Sequence, residues 1–328
     1  MKNNFNKNKK MKNLLVTLCA SHINEINRLN HFENMINSFK NQTYKTNLYI
    51  SISFDLSLLD KINNIIEKNK KYNIKIFKQY HKMSQFEHYK FLSDQFENIF
   101  SNFIWCLFTD DDDLLNPKRN SEFIKLVDKV TDKSEVCVQY GSTIISSWNK
   151  YDKSYEDFKA DLDSGNNNTR YVSYSNEYNT YCVKLGFLKK FCRFLDKKNK
   201  IQTKLCDVVF SSMLFLKCNS KYAYFNKQPM YIYNQTSTHL RTCHDFGIEY
   251  YVKNYNDLFD DLSYEFDFKW KTEFPKGNSY IYDEGAHILA VKNIENIKDK
   301  NKINNKMLAI ILLPIMILKK IYSKLLQK

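Results

Sequence analysis

Two kinds of hydrophobic pattern alternate along the first third of the chain. Residues 14–19 (LLVTLC), 48–54 (LYISISF) and 103–108 (FIWCLF) are short continuous apolar runs, and runs of that length predict buried strands. Between them the apolar positions recur at helical spacing. Ile26, Leu29, Phe32, Met35, Ile36 and Phe39 mark a helix ending near residue 40. Leu58, Leu59, Ile62, Ile65 and Ile66 mark a second, and residues 86–99 a third. A brief strand is expected at 74–77. Strand and helix in alternation predict an α/β fold with a mixed, mainly parallel sheet covered by helices on both faces. In such sheets ligands bind beyond the carboxyl ends of the strands. Asp55 and Asp110 each follow a strand directly and would reach that rim. No GxGxxG follows the first strand, which disfavours a dinucleotide cofactor.

The second half predicts less. Residues 136–146 read as one strand and 150–180 as a polar, loop-rich insertion. Residues 181–196 and 203–217 read as helices, 221–233 as a strand pair, and 246–300 as a helical extension. The expected organisation is a basic tail (1–12), a main domain (13–245) divided near residue 120 into a nucleotide half and an acceptor half, the extension, and a final tail from residue 301.

The net charge of +14 changes the picture through its placement. Residues 1–12 carry five lysines and no acid, and residues 298–328 carry eight lysines and one aspartate, so the body is close to neutral. Nucleic acid, which needs a basic face on the folded core, is therefore disfavoured as a partner. Residues 307–318 (MLAIILLPIMIL) would form a helix of about 18 Å, against a bilayer core of about 30 Å. They read either as a buried terminal helix or as a shallow anchor on an anionic membrane surface. The flanking Lys306, Lys319 and Lys320 favour the anchor. The stretch after the N-terminal lysines is too short and polar-flanked for a secretory signal, and Met11 is a candidate start of the folded unit. Eight cysteines without a CxxC pair read as reduced, buried small hydrophobes, consistent with a cytoplasmic protein, peripheral to the membrane at most.

The candidate chemistry lies in four consecutive aspartates, 110–113, followed by Leu114, Leu115, Asn116 and Pro117. Four adjacent carboxylates repel one another, and a hard divalent cation is their natural compensation. Strand alternation would put Asp110 and Asp112 on one side and Asp111 on the other. Asp207 opens an apolar helical stretch and reads either as a general base or as a helix cap.

In these features the chain resembles the family 2 glycosyltransferases. The resemblance rests on LLVTLCASHINE, on Ser38, Gln42 and Tyr44 in SFKNQTY, on the strand ending at Asp55, and on FTDDDDLLNP. It covers residues 14–117 and implies a GT-A-like fold with a DxD metal motif. The transfer implied is of a sugar from a nucleotide donor, a UDP-sugar by preference, to a glycan, lipid or protein hydroxyl, with inversion. Ala20, Ser21, Asp55 and Asp111 would then hold the donor nucleotide. Asp110 and Asp112 would hold Mn²⁺ or Mg²⁺, with His239 as a further ligand, and Asp207 would be the catalytic base. His88 or Lys90 is a looser candidate for the donor, and Arg241 for phosphate. Trp105 and Trp148 read as core, and aromatics near 171–181 as acceptor contacts. Two other readings stay open: a nucleotidyltransferase or similar Mg²⁺-dependent phosphate enzyme, and a decayed sugar-nucleotide-binding module.

Overall fold

The computed structural model describes residues 13–97, 103–148, 154–166, 168–172, 177–202, 206–225, 228–234, 261–262 and 264–266. Both basic tails, His239, Arg241 and most of the expected extension lie outside the described residues.

The strands and helices expected before residue 110 are present. They are β1 (Leu14–Ile23), α1 (Ile26–Lys40), β2 (Asn47–Phe54), α2 (Leu59–Asn69), β3 (Ile74–Gln79), α3 (Gln85–Asp94) and β4 (Ile104–Asp110). β1 runs four residues past its apolar run, so Ser21 and His22 are strand residues rather than the start of the helix. Helix α3 starts where its sequence dictates. Ser84 accepts from the Glu87 amide and Glu87 reaches back to the Ser84 amide, closing a capping box.

The elements that follow are β5 (Leu114–Leu115), α4 (Arg119–Val127), β6 (Cys137–Tyr140), β7 (Thr143–Ser146), α5 (Tyr155–Asp163), β8 (Thr169–Val172), β9 (Tyr181–Lys184), α6 (Leu185–Lys197), α7 (Cys206–Lys217), β10 (Ala223–Tyr224) and β11 (Tyr231–Asn234). A seven-stranded sheet has the order β10-β6-β9-β4-β1-β2-β3, and β9 alone runs antiparallel to its neighbours. The mixed, mainly parallel architecture is as expected. A smaller sheet has the order β5-β11-β7-β8.

Several expectations for the second half are overturned. The run 136–146 is two strands in two different sheets, split at Gly141, where a Cβ would overlap the Phe225 ring. Residues 181–184 are strand, not helix; they are inserted between β4 and β6 and buried on both faces. The supposed strand pair at 221–233 divides between the two sheets. The supposed insertion contains α5, opened by a Ser154–Asp157 capping box, and β8. These elements are short, and their burial comes from neighbours distant in sequence, so periodicity could not reveal them.

Alternation along β1 organises the core. Val16, Leu18 and Ala20 pack with α3, α6 and α7 through Phe86, Leu188 and Phe210. Cys19 and Ile23 pack on the other face with α1 and α2 through Phe32, Ile36 and Ile62. Beside them, Leu15 joins Trp105 and Phe123 of α4. Trp105 and Trp148 are buried, as expected. Of the extension, Leu262 and Phe266 are buried and join the α6 side of the core. Among the described residues no helix is long and apolar enough to cross a membrane.

The SFKNQTY segment proves to be scaffolding for the acidic run. Gln42, fully buried, donates Nε2 to the Asn116 carbonyl at 2.7 Å and accepts the Asn120 amide at 3.0 Å. The Ser38 hydroxyl accepts the Leu115 amide at 3.3 Å, and the Thr43 amide donates to the Pro117 carbonyl at 2.8 Å. The end of α1 is thereby fixed to the segment that leaves the aspartates.

Candidate active site

The four aspartates sit at the carboxyl rim of the sheet, where β4 ends beside β1; Ala20 and Asp110 are partners in the parallel register. β4 stops at Asp110, and residues 111 and 112 form a turn. The strand alternation therefore does not continue through the run, and the four carboxylates find separate surroundings.

Asp110 faces the α3 side. Its Oδ1 accepts from Gln85 Nε2 at 3.1 Å and from the Tyr178 hydroxyl. Burial, then the Asp110 charge, hold the Tyr178 phenol well above its ordinary value, so it stays a donor. Asp111 faces the α1 side. It accepts the Ser21 hydroxyl at 2.6 Å and a two-pronged contact from Arg28, with Nε at 3.2 Å. Asp112, 3% exposed, lies 3.5 Å from Arg28 Nη1. By these contacts Asp112 shares a cation with Asp111, which strand alternation alone did not predict, because residues 111 and 112 form a turn.

Asp113 is buried behind the rim. It accepts the Tyr231 hydroxyl and the Asn234 amide, each at 2.7 Å, and Tyr231 in turn accepts the Asp110 amide at 3.0 Å. Burial, then the charges of Asp112 and Asp110, push the Asp113 carboxyl well upward, and its two hydrogen bonds oppose this. Beneath the site lies Arg119, fully buried. Its Nη2 donates to the carbonyls of Phe108 and Asn179, both at 2.8 Å, and its guanidinium stacks over Tyr231. Burial lowers its pKa to about 10.

The remaining expected site residues take different places. Asp55 ends β2 on the same rim, exposed, with its Oδ1 capping a short 3₁₀ turn through the Ser57 amide at 2.8 Å. Its own amide donates to the Ile23 carbonyl at 2.9 Å, which ties it to the end of β1. Asp207 stands in the first turn of α7 and within electrostatic reach of Glu177. Lys90 faces away, pairing with Asp94 and Asp196. His88 is buried in a chain of hydroxyls: its Nδ1 lies 2.8 Å from Ser51 Oγ and its Nε2 3.1 Å from Ser53 Oγ, which is 2.8 Å from His22 Nδ1. Tyr178, expected as an acceptor contact, is instead a buried partner of Asp110.

Sequence reasoning missed four residues. Arg28 and His31 lie one helical turn apart on α1, so they share a face; His31 is within reach of the Asp112 and Asp111 charges, with its pKa lowered chiefly by burial. The regular spacing of Arg28 and His31 was the one available signal. Tyr233, from the second sheet, faces Asp113, Asp110, Glu177 and Asp112, and burial followed by those charges raises its pKa. Glu177 reaches solvent yet is crowded by protein. Burial, then the charges of Asp207 and Asp110, push its pKa up to about 7. Glu177 thus lies within reach of both the acidic run and the candidate base, and no motif marks it.

The donor chemistry suits a hard divalent ion. Among the described residues the candidate ligands are carboxylate oxygens. Burial first, then the charges of Asp112 and Asp110, raise the Asp113 carboxyl, so negative charge is concentrated at this rim. Among the described residues, Glu135, Cys137 and Cys218, and not the aspartates, bring three potential ligand atoms within 4.8 Å of one another. There, however, the thiols donate to the carbonyls of Leu214 and Cys137 at 3.5 and 3.7 Å, and burial raises the Cys137 thiol, so the cluster is satisfied as neutral core.

No protein-family model matches the chain, and no curated protein matches it. Solved structures are similar at low identity. Residues 1–349 of TarS from S. aureus share 17% identity over 68% of this chain, with a TM-score of 0.39. That match spans 60% of the TarS chain. The mannosyltransferase PcManGT from Pyrobaculum calidifontis, in complex with GDP-Man and Mn²⁺, shares 9% identity over 80% of this chain and 67% of its own, with a TM-score of 0.42. A 4-diphosphocytidyl-2C-methyl-D-erythritol synthase shares 10% over 58% of this chain and 84% of its own, at 0.34. Likenesses this distant leave the function to be argued from the residues.

Proposed function

We propose that the chain is an inverting glycosyltransferase that moves a sugar from a nucleotide-sugar, a UDP-sugar by preference, to an acceptor hydroxyl. One observation carries the reading: an acidic run at the carboxyl rim of a parallel sheet, with Glu177 within electrostatic reach of both Asp110 and Asp207. Asp110 and Asp112 would hold Mn²⁺ or Mg²⁺, with His239 as a further ligand proposed from sequence. The ion would supply positive charge to the departing diphosphate. Ala20, Ser21 and Asp55 line the rim on which the nucleoside would rest, and Asp111 acts there through Ser21 and Arg28. Tyr178 and Gln85 fix the Asp110 carboxylate, so its orientation is set before the donor arrives. Asp207 takes the proton of the acceptor hydroxyl as its oxygen attacks the anomeric carbon and the bond to the diphosphate oxygen breaks. Glu177 lies within electrostatic reach of that carboxylate.

The test is thermal stabilisation by UDP-, GDP-, CMP- and dTDP-sugars with Mn²⁺ or chelator, since a ligand of the folded state raises Tm. The reading expects a metal-dependent shift with one nucleotide class. Asp112→Ala should lose that shift, whereas Asp207→Asn should keep it and lose transfer. No shift with any donor sinks the transferase reading; normal transfer by Asp207→Asn removes the base. Binding of the free nucleoside triphosphate, with no sugar transfer, would favour nucleotidyl transfer instead.

A further inference from the structure

We propose that Arg28 is a built-in counter-cation of the acidic site, competing with the divalent ion for Asp112 and passing to the donor's phosphate when the ion is bound. This rests on the reading that Asp110 and Asp112 hold the ion. Arg28 projects from the first turn of α1, just beyond the end of β1, and its guanidinium does two things at once. Nε and Nη2 grip both oxygens of Asp111, which the Ser21 hydroxyl also fixes at 2.6 Å. Nη1 lies 3.5 Å from Asp112 Oδ2, a longer and weaker contact than those to Asp111. The planar fork of arginine permits this division.

Asp111 and Ser21 thus anchor Arg28, and Asp112 is the partner it can yield. Among the described residues no other lysine or arginine pairs with the four aspartates. His22 and His31 are held towards the neutral form chiefly by burial. A divalent ion on Asp112 must therefore take that carboxylate from a guanidinium and sit beside it, a like-charge contact that weakens ion binding. Arg28 is 17% exposed, so one edge faces the rim. A phosphate arriving with the ion offers Nη1 a new anionic partner and removes the conflict. Ion and donor should bind cooperatively for this reason, each strengthening the other by the same factor.

The experiment titrates Mn²⁺ alone by electron paramagnetic resonance of the free ion, then UDP and GDP at saturating Mn²⁺ by calorimetry. Wild type and Arg28→Gln are compared. In the variant, Mn²⁺ alone should bind about five- to tenfold more tightly, and the nucleoside diphosphate about as much more weakly. Arg28→Lys, which keeps the charge, should keep the weak Mn²⁺ binding of the wild type. If Arg28→Gln does not fold, Arg28→Gln/Asp111→Asn removes the buried pair as a unit and is expected to bind Mn²⁺ more tightly than Asp111→Asn alone. Equal Mn²⁺ affinity with and without Arg28 overturns the proposal and leaves the metal site standing. No Mn²⁺ binding by any of these proteins overturns both.

Discussion

Acidification should expose the buried histidine. His88 lies between Ser51 and Ser53, 1% exposed, and its pKa is lowered from 6.5 to about 4. Burial is the main cause, followed by His22 on β1; Glu87 on its own helix opposes, and His81 adds to the lowering. A histidine with a depressed folded-state pKa binds its proton more readily in the unfolded chain. Its contribution therefore leaves stability untouched above the unfolded value and destabilises as pH falls through the interval between 6.5 and 4. With 1.36 kcal/mol per unit, the loss is about 2 kcal/mol at pH 5 and about 3 kcal/mol at pH 4, relative to pH 7. Carboxylates held low, such as Asp55 and Glu87, also destabilise on acidification, but mainly below pH 5. The His88 part is isolated by comparison with His88→Gln, which offers polar atoms without a titrating ring. Urea unfolding of both proteins at pH 7, 6, 5 and 4 gives the two curves. His88→Gln should be the less stable at pH 7 and close the gap by about 3 kcal/mol at pH 4. Parallel curves would show that His88 is already charged in the fold, and the reasoning from burial would be refuted.

Further predictions follow from single side chains. Gln42→Ala strands the Asn116 carbonyl and the Asn120 amide in a buried site and should cost about 2–4 kcal/mol in urea unfolding; a cost below about 1 kcal/mol would mean the segment is not the clamp described. Glu177→Gln should keep metal-dependent donor binding and lower turnover about tenfold by weakening the neighbouring base; unchanged turnover would separate Glu177 from the chemistry. Tyr231→Phe removes the hydroxyl that joins the Asp110 amide to Asp113 and should lower Tm by several degrees, a cost of about 1–3 kcal/mol; an unaltered Tm would show that water replaces the bond.

The fold of residues 14–110 could be read from the chain because its strands are long, continuous and buried on both faces. β1, β2 and β4 announce themselves by composition, and the aspartates follow β4 without a gap. The acidic run could be named from its position after a strand, whereas Ser21 is named only through the family resemblance. Long-range placement decided the rest. β9 carries no more pattern than the helix it precedes, and its strand character comes from the edges of β4 and β6 that it joins. Arg28 reads as one more polar residue on an amphipathic helix until α1 is laid beside the turn after Asp110. Gln42 belonged to a recognisable segment, but only its contacts with Asn116 and Asn120 show that it holds the site rather than forming it. Glu177 is 30 residues from Asp207 in sequence, and it feels the charges of Asp207 and Asp110 only in three dimensions. Sequence determines which segments must be buried and where charge accumulates. The partners that turn such charge into a site are contributed by elements distant in the chain, and packing alone selects them.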